Sequence, residues 1–135
     1  MANVCATQFM KTLDAKNLKY RITNGNDEDI LIDFPYEGRN TRLIFSGENG
    51  KYLSLYLVFE HIPEEKVGDV IYTCNELNCQ YKWVTFYVDK DNDVILHDDA
   101  ILSIPTAAEE TFELLVRMLK IGDEVKSQIM RTIYA

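Results

Sequence analysis

Five segments of the chain, rich in β-branched, aromatic and other apolar residues and bounded by turn signals, are predicted to be β-strands, and in the longer ones the residues divide between two faces with a period of two. These predicted strands cover residues 30–34, 42–45, 52–60, 82–89 and 94–102. Turn-forming residues precede the first of these strands, at 24–27, and separate later ones, at 36–40, 48–51 and 91–93. The segment 52–60 is the longest, and its most apolar side consists of Leu53, Leu55, Leu57 and Phe59.

Two segments that flank the first three strands repeat their apolar residues at helical spacing. The first helix is predicted to follow Asn3 or Thr7, since either residue is a good N-cap, and to run to about Leu18. The second is predicted to begin at Pro63, because proline is favoured at the first helical position, and to end near Gln80. Each helix has one apolar side, so we expect both to pack on the sheet.

A third, C-terminal helix has the longest helical pattern in the chain. Thr106 is its predicted N-cap, and Glu109 stands at the spacing that completes a capping box. Its apolar residues cover a wider arc than burial on one side requires. If Gly122 bends or breaks the helix, each half can bury its own side; the alternative is that the extra apolar side forms a dimer contact.

The element order is therefore helix, three strands, helix, two strands, helix, or α-β-β-β-α-β-β-α. Strands that follow each other through short turns are antiparallel, because a parallel pair needs a long crossover. With helices mainly on one face of an antiparallel sheet, the fold class is a two-layer α+β domain. No linker or repeat divides the chain, so residues 1–135 are predicted to form a single domain.

The predicted strands also carry aromatic residues on the side that the helices do not need. Alternation brings Tyr52, Tyr56, Trp83 and Tyr87 towards that one surface. Tyr and Trp are enriched where proteins bind each other, so these four residues are the candidate partner-binding site. The alternative is that they are there because aromatic residues pack well across strands.

The charge and cysteine content narrow the classes of partner and compartment. The net charge is −8, which argues against nucleic acid and against anionic membranes, since both bind basic surfaces. Three cysteines in no framework spacing indicate a reducing compartment. No signal peptide or membrane span is recognisable, so the protein is predicted to be cytoplasmic.

No motif in the sequence predicts catalysis, a metal or another cofactor. Asp89, Asp91 and Asp93 resemble the start of a calcium loop, but the loop's glycine and last glutamate are absent, which indicates an acidic turn. The only histidines, His61 and His97, lack zinc-ligand spacing, and a solvated strand end is the expectation for His97. The chain is therefore predicted not to be an enzyme, although residues distant in sequence can still assemble a site.

The segments 70–78, 83–89 and 94–96 resemble the YbjN-like family, described as bacterial sensory transduction regulators. The resemblance implies a fold like that of type III secretion chaperones, and the element order agrees with it. It also implies a non-catalytic, dimerising, protein-binding module, with no catalytic residues to carry over. Its most specific part is the pair Asn75 and Asn78, which we interpret as structural, joining the second helix to the following strand; contact with a bound peptide is the alternative.

Together these features predict a chaperone-like regulatory module that binds a protein or peptide. A structural homodimer within a larger assembly is the second hypothesis. A small-ligand receptor or an enzyme is the third, and a pocket where His97 meets acidic groups would favour it.

Overall fold

The computed structural model describes residues 3–24 and 28–135, so most of the turn predicted over 24–27 lies outside the described residues. The described residues form three α-helices and six strands. In chain order the elements are α1 (Val4–Ala15), β1 (Arg21–Asn24), β2 (Ile30–Tyr36), β3 (Arg39–Ser46), β4 (Tyr52–His61), α2 (Val67–Gln80), β5 (Thr85–Val88), β6 (Asp93–Ile101) and α3 (Ala107–Tyr134).

The strands form one sheet in the order β1-β2-β3-β4-β6-β5, and every neighbouring pair is antiparallel. The predicted α+β class is confirmed, but the predicted set of strands was incomplete. The additional strand, β1, pairs with β2 from Arg21 opposite Asp33 to Asn24 opposite Ile30. Its four residues include only one large apolar side chain, Ile22, which is too short a pattern to predict a strand.

The three helices cover one face of the sheet and bury a single apolar core. The predicted inner side of β4, with Leu53, Leu55, Leu57 and Phe59, is buried as expected. From α1, the Phe9 ring packs on Phe45 of β3 with the ring centroids 5.8 Å apart. Because strand residues alternate between faces, the side chains that lie between these buried residues along each strand point away from the helices.

The helix α3 is continuous over 28 residues, so Gly122 does not break it. Gly122 is buried, and a Cβ added there would lie 3.3 Å from Leu57 and 3.5 Å from Phe59. The glycine therefore lets α3 approach the sheet closely.

The predicted capping box at the start of α3 was also wrong, because Thr106 makes no side-chain cap to the helix backbone. Glu110, not Glu109, binds this end: its carboxylate accepts hydrogen bonds from the Ser103 backbone N–H and the Thr106 hydroxyl. The carboxylate stands one residue later than the motif because a short 3₁₀ turn, Ile104–Thr106, precedes α3.

Candidate functional site

The face of the sheet that the helices leave open, here called the open face, has an aromatic group at its centre. Tyr56 of β4 lies directly opposite His97 of β6, and their rings stack with centroids 4.4 Å apart and an angle of 7°. Tyr87 of β5 meets the same imidazole edge-on at 6.2 Å. We call Ser54, Tyr56, Tyr87, His97 and Asp99 the central cluster.

The polar atoms of the central cluster bind one another. The Ser54 hydroxyl donates to Asp99 Oδ1 at 2.7 Å, and His97 Nε2 lies 2.9 Å from the same oxygen. Burial, aided by nearby Tyr56 and acidic groups, raises the pKa of the Tyr87 hydroxyl, which keeps it neutral. Because Ser54 is bonded to the carboxylate and not to His97, the arrangement does not activate a serine nucleophile. His97 also lies within β6, half-buried, and not at the solvated strand end expected from the sequence.

Next to the cluster, the open face contains a buried ion pair between β2 and β3. Asp33 is only 3% exposed, and Arg42 binds it in a bidentate manner at 2.8 and 3.0 Å. These hydrogen bonds from Arg42 hold the pKa of Asp33 below its ordinary value, although burial opposes them. Arg21 on β1 is farther away, with 3.9 Å between its guanidinium and the carboxylate. The open face thus balances its own charges in a strongly acidic protein.

Trp83 does not lie where alternation placed it, since β5 begins only at Thr85. Its φ is +76°, a left-handed conformation that glycine adopts easily and a bulky aromatic residue avoids. Such a conformation costs on the order of 1–3 kcal/mol. The turn from α2 into β5 is short and fixed at both ends, by Tyr81 packed on Phe86 and by buried Val84. Trp83, between them, is 52% exposed.

The indole of Trp83 lies beside the helix layer and not on the open face with Tyr56. Its ring faces the Arg117 guanidinium of α3 at 5.3 Å from centroid to carbon. Beside it is a groove of about 330 Å³, near the lower end of the ~300–1,000 Å³ range of ligand pockets. The groove is lined by Trp83, Ala100, Ile101, Leu102, Glu110, Glu113, Leu114 and Arg117. The prediction that the four aromatic residues share one surface is therefore wrong for Trp83.

Ile101 connects this groove with the open face. It is the last residue of β6, is 75% exposed, and lies opposite Tyr52 of β4, which is 45% exposed. We call Tyr52, Trp83, Ile101 and the groove the Trp83 corner. From the sequence, neither Ile101 nor Asp99 was assigned to a contact surface, and His97 was considered only for metal or small-ligand binding. The available signal was that residues 95, 97, 99 and 101 alternate with the apolar residues 94 and 96, which indicates that they share the opposite face of the strand.

The structure supports the structural interpretation of Asn78. Its side-chain amide donates to the carbonyl of Phe86 at 3.0 Å and accepts from the Phe86 N–H at 2.7 Å. Both groups belong to β5, which has only one neighbouring strand, so Asn78 occupies hydrogen-bonding groups that an added strand would need. Asn75 lies on the exposed side of α2.

The chain matches a known protein family over almost its whole length. Residues 6–134 match the model of the YbjN family, described as "putative bacterial sensory transduction regulator". The chain belongs to the YbjN family. No curated protein sequence matches it.

In this YbjN family member the candidate metal ligands and two of the three thiols, those of Cys5 and Cys74, are accounted for by the fold. Among the described residues, no group of three or more His, Cys, Asp or Glu side chains is arranged to hold a metal ion. Asp89 instead organises the turn before β6, accepting hydrogen bonds from the backbone of Asp91 and Asp93. Burial raises the pKa of Cys74 to about 11, which leaves its thiol protonated and unreactive at neutral pH.

None of the helices formed by the described residues combines the length and the apolar character that crossing a bilayer requires.

Proposed function

We propose that this protein is a non-catalytic regulatory module that binds a segment of another protein at the Trp83 corner. The observation that carries the proposal is that Tyr52, Trp83 and Ile101 stay exposed next to each other, although each could have been replaced by a polar residue without loss of core packing. Exposed aromatic residues beside an apolar groove are typical of protein contact surfaces. The family description, a regulator of sensory transduction, supports a role exercised through a partner.

The charges of the molecule favour a protein over a nucleic acid or an anionic membrane. The net charge is −8, and the Arg42 guanidinium on the open face is already bound by Asp33. A chaperone-like mode of action, in which the module holds a segment of its partner, is consistent with a groove this small. The three free cysteines, of which Cys5 and Cys74 are buried, support action in the reducing cytoplasm.

The test is capture of partners from lysate of the native host, with wild type compared with Ile101→Glu. Because a charge at a 75% exposed position does not disturb the core, the variant should fold normally but lose the partner. Tyr72→Glu on α2 is the matched control, since Tyr72 is 66% exposed but lies away from the corner. Equal recovery of the same protein with all three baits would refute the proposed surface.

A second candidate function is a structural homodimer, favoured by the exposed side of α2. Ile71 and Tyr72 are both large and more than half exposed there. Light scattering would show a dimer that Tyr72→Glu dissociates. A monomer at every accessible concentration would remove this candidate.

A further inference from the structure

We infer that the Trp83 corner recognises a basic, apolar segment of the partner, and that Arg117 is a resident substitute for the partner's own cation. This inference rests on the proposed function and specifies the class of partner. The guanidinium of Arg117 faces the Trp83 ring at 5.3 Å. It also donates two hydrogen bonds to Glu113 Oε2, at 2.8 and 3.0 Å. An aromatic face next to a carboxylate is a site for a cation.

The contacts of Arg117 are of a kind that a partner can replace. Glu113 and Arg117 are four residues apart on the outside of α3, and both side chains remain about half exposed. Ion pairs of this kind are individually weak and are screened by salt. A Lys or Arg from another chain can therefore take the place of the guanidinium between Trp83 and Glu113 at little cost.

The groove beside the cation site requires an apolar neighbour in the same segment. Its floor contains Ala100, Leu102 and Leu114, which can receive a large aliphatic side chain. Glu110 at its rim is bound to Ser103 and Thr106, so the acceptor that becomes available to a partner's cation when Arg117 is displaced is Glu113. The whole chain is acidic, with a net charge of −8, and therefore attracts a basic segment more strongly than an acidic one.

The shape of the surface favours a peptide over a compact small molecule. Glu113 and Arg117 also line a second, larger groove of about 680 Å³ between α1 and α3, where Phe112 and Val116 can receive the apolar side chains of the segment and Lys16 and Lys120 keep its cations at the first groove. Glu113 and Arg117 thus form a wall shared by two neighbouring grooves. A chain segment that displaces Arg117 can extend from one groove into the other, whereas a compact ligand would fill only one.

The geometry of Trp83 provides a direct readout, because it is the only tryptophan in the chain. The probes are three capped hexapeptides: one alternating leucine with arginine, one alternating leucine with glutamate, and one alternating serine with arginine. Purified wild-type protein is titrated with each while the indole emission is recorded. We expect saturable change with the leucine–arginine peptide only, and weaker binding as salt is raised.

Two substitutions at exposed positions test the substitute role of Arg117 in opposite directions. Arg117→Ala removes the internal competitor and should tighten binding of the leucine–arginine peptide about threefold or more, the range of one exposed cation–π contact. Glu113→Gln removes the negative charge that pairs with the partner's cation and should weaken binding by a similar factor. Circular dichroism of both variants confirms that α3 is intact.

Weaker binding by Arg117→Ala, or a response to the leucine–glutamate peptide, would overturn the inference, because Arg117 would then be the receptor for an acidic partner. No response of wild type to any peptide would overturn it as well. If a partner is captured through Ile101 but ignores both Arg117→Ala and Glu113→Gln, the proposed function stands and this inference fails. If nothing is captured but the peptides behave as expected, the cation site at Trp83 stands and the proposed regulatory partner does not.

Discussion

The central cluster and the Trp83 corner are both rich in aromatic side chains, but they satisfy those side chains differently. In the cluster, Tyr56 and Tyr87 pack on His97, and Asp99 accepts its hydrogen bonds from within the sheet. At the corner, Trp83 is half exposed and held in a conformation that tryptophan avoids, and Ile101 faces solvent. Aromatic content alone therefore does not identify a contact surface. The better sign is an apolar group that the fold holds out of its core.

The open face and the Trp83 corner should differ in how substitutions affect the free energy of unfolding and the affinity for a partner. Substitutions among the internally paired groups of the open face should lower the stability of the fold. Substitutions at the corner should leave stability almost unchanged and affect binding. A contact role for Tyr56 and Tyr87 stays a prediction.

The largest expected effect on stability is at the ion pair of the open face. Arg42→Ala should lower the free energy of unfolding by about 2 kcal/mol, because it leaves the buried Asp33 carboxylate without its bidentate partner. The value is below the usual cost of breaking a buried pair because Arg42 itself is partly exposed. Chemical denaturation measures it. Arg21→Ala is the control: its side chain is 79% exposed and the change should be under about 0.5 kcal/mol. Equal effects of the two would contradict the difference between them.

Acid should reveal the same ion pair as a loss of stability. The pKa of Asp33 is lower in the folded state than in the unfolded chain, where it is about 3.9. The stabilisation is therefore complete above about pH 4 and is lost as the pH falls through the folded pKa. Urea midpoints between about pH 7 and pH 3 should fall less steeply for Arg42→Ala than for wild type. Trp83→Ala should keep the wild-type slope; a changed slope there would mean that the two regions are coupled.

The smallest expected effect concerns the backbone at the corner. Trp83→Gly and Trp83→Ala lose the same indole, but only glycine adopts φ +76° without strain. The glycine variant should therefore be more stable than the alanine variant by about 1 kcal/mol. Thermal and urea unfolding compare the two directly. An alanine variant that equals or exceeds the glycine variant would show that residue 83 is not held in the left-handed region.

Local periodicity was sufficient for the fold class and for which side of each long strand is buried. The burial of Leu53, Leu55 and Leu57 could be predicted, because the alternation of side chains along a strand depends only on near neighbours in sequence. The pairing of β4 with β6 is different, since α2 and β5 lie between them in the chain. No local signal indicates that Tyr52 faces Ile101 or that Tyr56 faces His97, so neither the corner nor the cluster could be predicted.

Trp83 shows a second limit of local reasoning. A tryptophan two residues before an alternating apolar segment has the pattern of a strand residue. Its left-handed conformation arises because Tyr81 and Val84 are fixed in the core on either side of a short turn. Tertiary packing therefore overrides the local preference of residue 83, and only the folded chain shows this.

Photo-cross-linking in the native host tests the central claim, that the partner binds at the Trp83 corner, most directly. A photoreactive phenylalanine derivative is placed at Ile101 in one strain and at Tyr72 in another, since both side chains are well exposed. We expect a cross-linked partner from position 101 and none from position 72. The product should be lost when Glu113→Gln and Trp83→Ala are added. A product from position 72 alone, or one from position 101 that is a second copy of this chain, would contradict the central claim.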